Sequence, residues 1–410
     1  MPEKLEVWLH VDFLGSPCLV GRLSHDRGQV WFNYEESWLK NPDCFSIDPD
    51  LSLDAARFFP KPERENFGVF LDSSPDRWGQ TLMERRELLD AKSSGRTPRK
   101  LYAWDYLLGV QDETRQGALR FRREGEDAFL AADLHTVPPI TSLAELEAVA
   151  FELSNKRIND LSALHKWLSV LVSPGSSLGG ARPKANFRET DGSLWIAKFP
   201  AHDDTRDVGA WEWVAHVLSK AAGIDVPPAK KLKLGSHHHT FCVKRFDRNK
   251  AQRVFYSSAK TVLGKGNDDY ASYLEIAGFL SSHGAQGTVK QGLEQLFRRV
   301  AFNVAIGNKD DHLKNHGFLL QPSGWVIAPA FDVNPNPDKR EHVLAIDEAN
   351  NQPDLETVLL TSEWYELPRP KADRIVEEIV NGIKKWPAVA KKAGIPNAEI
   401  ELMRNVFYSG

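Results

Sequence analysis

The stretch GNKDDHLKNHGFLL, Gly307–Leu320, sets Asp310, His312, Lys314 and Asn315 within six positions. What lies on either side gives those side chains a setting. Upstream, Leu293, Leu296, Phe297, Val300 and Val304 recur at helical spacing and predict a helix over 289–306. Gly307 would end that helix. Downstream, Phe318–Leu320 and Trp325–Ile327 predict a hairpin turning on Pro322, Ser323 and Gly324, with Asp332 past its far end.

An acid, an Asn a few residues on and a second acid beyond a hairpin-length gap form the layout of a protein-kinase-type centre. In such a centre the first acid orients a hydroxyl nucleophile, while the Asn and the second acid hold Mg²⁺. Spacing alone leaves both Asp310 and Asp311 open as the first acid, with Asp311 reading better as a solvated loop acid or a helix cap. No His or Cys stands at ligand spacing to His312, which reads as a residue holding backbone groups in place. A polar loop opened by Gly could carry the same letters without chemistry, so the order of the other elements decides.

The chain has 410 residues, a soft prior of about two to three domains. Its net charge of -4 supplies no basic field for nucleic acid or an anionic membrane. Cys18, Cys44 and Cys242 have no CxxC spacing, which argues against a disulfide framework or a zinc site. MPEKLEVW lacks an apolar leader core, and no apolar run approaches the ~18 residues of a membrane span. These features predict a soluble protein of the cytoplasm with no membrane partner.

Residues 4–13 alternate, with Leu5, Val7, Leu9 and Val11 on one face, and predict a strand. Leu19–Leu23 and residues 29–34 extend it to a small antiparallel sheet. Ser73 or Ser74 followed by Pro75 predicts a helix start, running to about Leu89. An exposed loop over 91–100, a helix over 101–111 and a strand over 117–122 follow. A Pro/Thr/Ser-rich boundary lies at 135–145, then a helix over 142–154. Strands over 185–188 and 194–199, a helix over 208–222 and a hairpin over 231–246 complete the first half. From about 248 the chain reads as mostly helical, including a stripe of Ile375, Ile379 and Ile383.

Three glycines in PGSSLGGARPK, Pro174–Lys184, let backbone N–H groups converge on a phosphate, although the run fits neither GxxxxGK[ST] nor GxGxxG. Lys198 is in phase with Leu194 and Ile196, on a face that otherwise looks apolar, and must there either snorkel to water or find an anion. Glu212 is the candidate helix acid to pair with it. VKRFDR, Val243–Arg248, is the candidate connector to a helical lobe. His237, His238 and His239 sit at a predicted hairpin tip and receive no role.

Taken together, SSPDRWGQ (73–80), RQGALRF (115–121), SSLGGARPKA (176–185) and NKDDHLKN (308–315) resemble the HipA family over nearly the whole chain. That family consists of bacterial Ser/Thr kinase toxins of type II toxin–antitoxin modules. The resemblance implies an α+β, two-lobed protein-kinase-like fold: an N-terminal subdomain over 1–135, a kinase N-lobe over 136–246 and a helical catalytic lobe over 247–410. It implies ATP and Mg²⁺, with Asp310 as the catalytic Asp and Asn315 and Asp332 as metal ligands. Gly179, Gly180, Ala181, Lys184, Lys198, His312, Lys314, Asn315 and Asp332 fall at its ATP site, and the backbone of Lys244, Arg245 and Phe246 at its adenine contacts. Ser177, with Ser176 beside it, matches an inactivating autophosphorylation site. The partners implied are a HipB-like helix-turn-helix antitoxin, operator DNA mainly through that antitoxin, and a protein substrate of the aminoacyl-tRNA synthetase class. One departure is that Val333 and not a DFG-type Gly follows Asp332, which members of this family tolerate.

Overall fold

Alternation at the N-terminus builds the sheet it predicts. The computed structural model describes residues 2–131, 137–155, 168, 171, 180–249 and 252–408. Strands β1 (Glu3–Leu9), β2 (Cys18–Asp26), β3 (Gln29–Tyr34) and β4 (Leu119–Arg123) form an antiparallel sheet in the order β3-β2-β1-β4. Leu5, Val7 and Leu9 are fully buried, as the period of two requires.

The helix expected from Ser73 begins later, at α1 (Arg77–Ser93), and runs past Leu89. The serines serve the preceding helical turn, Gly68–Asp72, instead: Ser73 Oγ donates to the Val69 carbonyl and Ser74 Oγ to that of Phe70. Helix α2 (Leu143–Ser154) lies where expected. Strands β5 (Lys184–Arg188) and β6 (Leu194–Lys198) pair antiparallel.

The expectation of helix from 248 fails locally. Arg248–Asn249 and Gln252–Arg253 pair as short strands instead. Side-chain anchors explain the difference. The Arg248 guanidinium donates to the carbonyls of Glu113, Arg115 and Gly117, Asp247 accepts the Gly117 N–H, and Arg253 donates to Asp112. RQGALRF thus contributes backbone acceptors that hold this segment extended.

Residue contacts divide the chain into two compact units. One comprises Met1–Asp203, Leu234–His237 and Asp247–Ser257; the other comprises Asp204–Lys233, His238–Phe246 and Ser258–Gly410. In the second unit, α3 (Val208–Ala221) precedes a hairpin of β7 (Ala229–Leu232) and β8 (Thr240–Lys244). Helix α4 (Tyr273–His283) begins with a reciprocal capping box between Ser272 and Glu275. Helix α5 (Val289–Ile306) has the predicted boundaries and buries Leu293, Leu296, Phe297, Val300 and Val304 in one core with the Ile375, Ile379 and Ile383 stripe of α6 (Arg369–Ile383). Strands β9 (Gly317–Gln321) and β10 (Gly324–Ile327) form the predicted hairpin.

His239 is not an idle tip residue. Its Nδ1 lies 2.5 Å from Asp207 Oδ2, and Lys231 Nζ lies 3.1 Å from its Nε2. Asp207 also caps α3 by accepting the Ala210 N–H, so the pair ties hairpin to helix.

Candidate phosphotransfer site

Helix α5 stops where Gly307 takes φ +67°, the left-handed conformation. A side chain at 307 would come within 2.7 Å of the Val406 carbonyl oxygen. The following loop is fixed through its backbone. Asn308 N–H donates to the Asn303 carbonyl at 2.8 Å, Asn336 N–H to that of Gly307 at 2.9 Å, and Val343 N–H to that of Lys309 at 3.2 Å.

Within this loop the two adjacent acids part. Asp311 is 3 % exposed, and its Oδ2 accepts from Tyr273 Oη at 2.7 Å, Asn303 Nδ2 at 2.8 Å and His316 Nε2 at 2.7 Å. The reading of Asp311 as a solvated acid or cap is therefore corrected: it is the buried hub of the loop. Burial works to raise its carboxyl, but the His316 charge and the hydrogen bonds from His316 and Tyr273 outweigh that and hold it below its ordinary value. The Tyr273 hydroxyl, buried and facing Asp311, is pushed well up and remains a donor. Asp310 turns outward instead, with its side chain 59 % exposed and ion-paired to Lys339. An acid that must meet an incoming hydroxyl needs that access, and one that fixes a loop needs the opposite.

Asn315 ends a single 3₁₀ turn, Leu313–Asn315, and its N–H donates to the His312 carbonyl at 2.8 Å. His312 is half-buried, and its main-chain carbonyl accepts that bond. Lys314 is half-buried in the same turn. A small cavity lined by Asn303, Asp311, Asn315, His316, Phe331 and Val333 brings Asn315 beside both neighbours of Asp332. Asp332 sits at φ +58°, a conformation that Asp tolerates better than most residues and that concentrates at functional sites. An amide oxygen and a carboxylate are hard donors, and Mg²⁺ is typically held by one or two carboxylates together with substrate phosphates. The donor set of Asn315 and Asp332 fits that ion.

The connector reaches the same region. Lys244 N–H donates to the Pro228 carbonyl at 2.8 Å, and Arg245 is buried. The Phe246 ring packs on Phe331, immediately before Asp332, with centroids 5.4 Å apart.

The other unit carries the remaining expected residues. Lys184 and Lys198 are direct partners across β5 and β6, and Lys184 is 6 % exposed. Like charges placed directly opposite each other on a sheet are destabilising by themselves. On the strand bearing Lys198, Trp195 and Ala197 of one face are buried, while on the lysine face Leu194 is buried and Ile196 and Lys198 are half-buried. Gly180 takes φ +84° and its N–H donates to Asp76, while Ala181 is exposed. Gly179, Ser176 and Ser177 lie outside the described residues. Glu212, the candidate partner of Lys198, is buried on α3 and so belongs to the second unit and not to that of Lys198.

Sequence reasoning missed the anchors of the hub, Tyr273, Asn303 and His316. One signal was available: Asn303 interrupts the apolar end of α5 directly before Val304. Among the described residues no group of three or more His, Cys, Asp or Glu could hold a metal, and no helix is long and apolar enough to cross a membrane.

Comparison with known proteins bears on family and fold. Relatives of the chain bear the name "Putative kinase", among them these two. One, from Haemophilus influenzae, is 26 % identical over 222 residues, which are 47 % of this chain and 64 % of that protein. The chain thus spans less than two thirds of that relative. The other, Y4mE of Sinorhizobium fredii, is 25 % identical over 347 residues, 77 % of this chain and 74 % of that one. A chain in the solved complex of Shewanella oneidensis HipA, HipB and operator DNA superposes with a TM-score of 0.64 at 18 % identity, covering 98 % of this chain and 94 % of its own. The fold is α+β and kinase-like. The model of the HipA-like C-terminal domain matches residues 176–386, more than half of the 410 residues. This chain belongs to the HipA family.

Proposed function

We propose that this protein is an ATP- and Mg²⁺-dependent Ser/Thr protein kinase acting as the toxin of a toxin–antitoxin module. The observation that carries the reading is the division of labour in the acid pair: Asp311 is buried under three donors, and Asp310 is left accessible beside it. Asp310 accepts or orients the proton of a Ser or Thr hydroxyl, a contribution on the order of 10²–10⁴ in rate. Asp311 keeps Asp310 in place by fixing the backbone next to it. Asn315 and Asp332 would hold Mg²⁺, which when bound neutralises charge on the phosphates. Lys184 and Lys198 serve the phosphates, together with Gly179, Gly180 and Ala181 of the same loop, and Lys244–Phe246 serves the adenine.

The Shewanella relative was solved with HipB and operator DNA. By that likeness, the partner proposed here is a HipB-like antitoxin, through which operator DNA is bound. Net charge -4 supports leaving most DNA affinity to the partner. An aminoacyl-tRNA synthetase is the proposed protein substrate, and phosphorylation of Ser177 the proposed self-inactivation: a dianion among phosphate-seeking groups competes with ATP.

The test incubates purified protein with labelled ATP, Mg²⁺ and cell extract, beside Asp310→Ala. Label on a protein band with wild type alone is expected. Label in small molecules only, or no transfer and no ATP affinity, would refute the reading.

A further inference from the structure

The SSPDRWGQ stretch has no part in the chemistry above, yet it grips the end of the Gly-rich loop. Asp76 is the N-cap residue of α1 but makes no capping hydrogen bond. A helix start ordinarily uses such a carboxylate on its own orphan N–H groups. Here it accepts the Gly180 N–H at 3.1 Å. From the first turn of the same helix, Trp78 N–H donates to the Gly180 carbonyl at 3.1 Å. Gly180 is thus held on both sides of its α-carbon. The Trp78 indole Nε1–H then reaches the Lys184 carbonyl at 3.0 Å, between two residues that are 4 % and 6 % exposed.

Gly180 and Lys184 are also mutually fitted. With Gly180 at φ +84°, a β-carbon there would lie 2.6 Å from Lys184 Nζ. The backbone that Asp76 and Trp78 fix therefore determines where the Lys184 ammonium sits, opposite Lys198 in the β5–β6 register. Further along α1, Arg85 donates to the carbonyls of Leu153 at 2.5 Å and Asn155 at 3.4 Å, bracing the helix against the end of α2.

We propose that Asp76 and Trp78 are positioning residues for the nucleotide. They preset the Gly180–Lys184 backbone, and with it the Lys184 ammonium, for a phosphate, with Arg85 bracing the helix that carries them. The proposal rests on the kinase reading. It makes α1 a functional part of the nucleotide site, although none of its side chains needs to touch ATP. A preset loop improves ground-state and transition-state binding alike, so its loss appears in KM and not in kcat.

The experiment measures MgATP affinity by calorimetry, and KM and kcat for label transfer into extract protein. Wild type is compared with Asp76→Ala, Asp76→Asn and Trp78→Phe. Asp76→Ala is expected to weaken MgATP binding and raise KM by about tenfold, the size of one charge-assisted hydrogen bond, with kcat within about twofold. Asp76→Asn keeps an oxygen acceptor for the Gly180 N–H and restores affinity to within about threefold. Should Asp76→Ala fail to fold, Trp78→Phe, which loses the indole donor to Lys184, carries the same expectation. MgATP affinity unchanged in Asp76→Ala and Trp78→Phe, or a fall in kcat at constant KM, overturns the proposal alone. Wild type without MgATP affinity overturns the kinase reading with it.

Discussion

Replacing Asp311 by Ala removes the acceptor of three buried hydrogen bonds and strands three donors. Tyr273 Oη, Asn303 Nδ2 and His316 Nε2 all converge on one carboxylate oxygen, at 2.7, 2.8 and 2.7 Å. Both His316 and Asp311 are 3 % exposed, so little solvent is available to take over. Leaving a buried donor without its acceptor costs about 1–3 kcal/mol, so for three such donors a loss of about 3–5 kcal/mol is a low-end expectation. For a unit of roughly 150–250 residues each kcal/mol moves Tm by about 2–4 °C, so a drop of about 6–20 °C is expected. The control is Asp310→Ala, an exposed site expected within about ±0.5 kcal/mol of wild type. Thermal unfolding followed by circular dichroism reads both. The pH dependence supplies a second check. The folded-state pKa of Asp311 is depressed, so its contribution is fully present above the unfolded value of 3.8 and is lost as pH falls through the lower folded value. Asp311→Ala should therefore lose its deficit relative to wild type only in strong acid. Equal melting of Asp311→Ala and wild type at neutral pH, or equal losses from Asp310→Ala, would refute the separation of roles.

Other consequences follow from single contacts. Burial, with Lys309 adding to it and Asp311 opposing, pushes the His342 imidazole down to about 4. A His held neutral by the fold destabilises it once the unfolded chain can take up the proton, so stability should fall as pH drops from 6.5 toward 4, by about 3 kcal/mol in all; denaturant melts of His342→Leu should lack that component. Gly307→Ala forces a left-handed residue toward the Val406 carbonyl oxygen and should cost at least about 1–2 kcal/mol in the same melts. Lys198→Ala removes a cation set opposite Lys184 in the β5–β6 register, so MgATP affinity measured by calorimetry should fall about tenfold or more.

The legible parts of this molecule are those in which one local rule sufficed. Helix α5 matched its predicted boundaries because the apolar stripe from Leu293 to Val304 is followed by a glycine that takes the left-handed cap. Both hairpins of the second unit likewise followed from alternation around turn residues. What failed depends on partners far along the chain. Which member of Asp310-Asp311 turns inward is decided by Tyr273 and Asn303, neither of which is a neighbour in sequence. Ser73 and Ser74 carry a helix-start pattern but bond backward to Val69 and Phe70. Arg248 and Arg253 look like helix residues until the carbonyls of 112–117 are there to receive them. The work of Asp76 and Trp78 on Gly180 spans more than a hundred positions and has no local trace at all.

The central claim is that Asp310 performs the proton chemistry while Asp311 holds the loop. The most direct measurement is the single-turnover rate of label transfer from MgATP to the acceptor protein by Asp310→Ala, with MgATP affinity and Tm recorded on the same sample. A loss of about 10²–10⁴ in rate is predicted, with affinity and Tm unchanged. Transfer within a few-fold of wild type by Asp310→Ala would contradict the assignment.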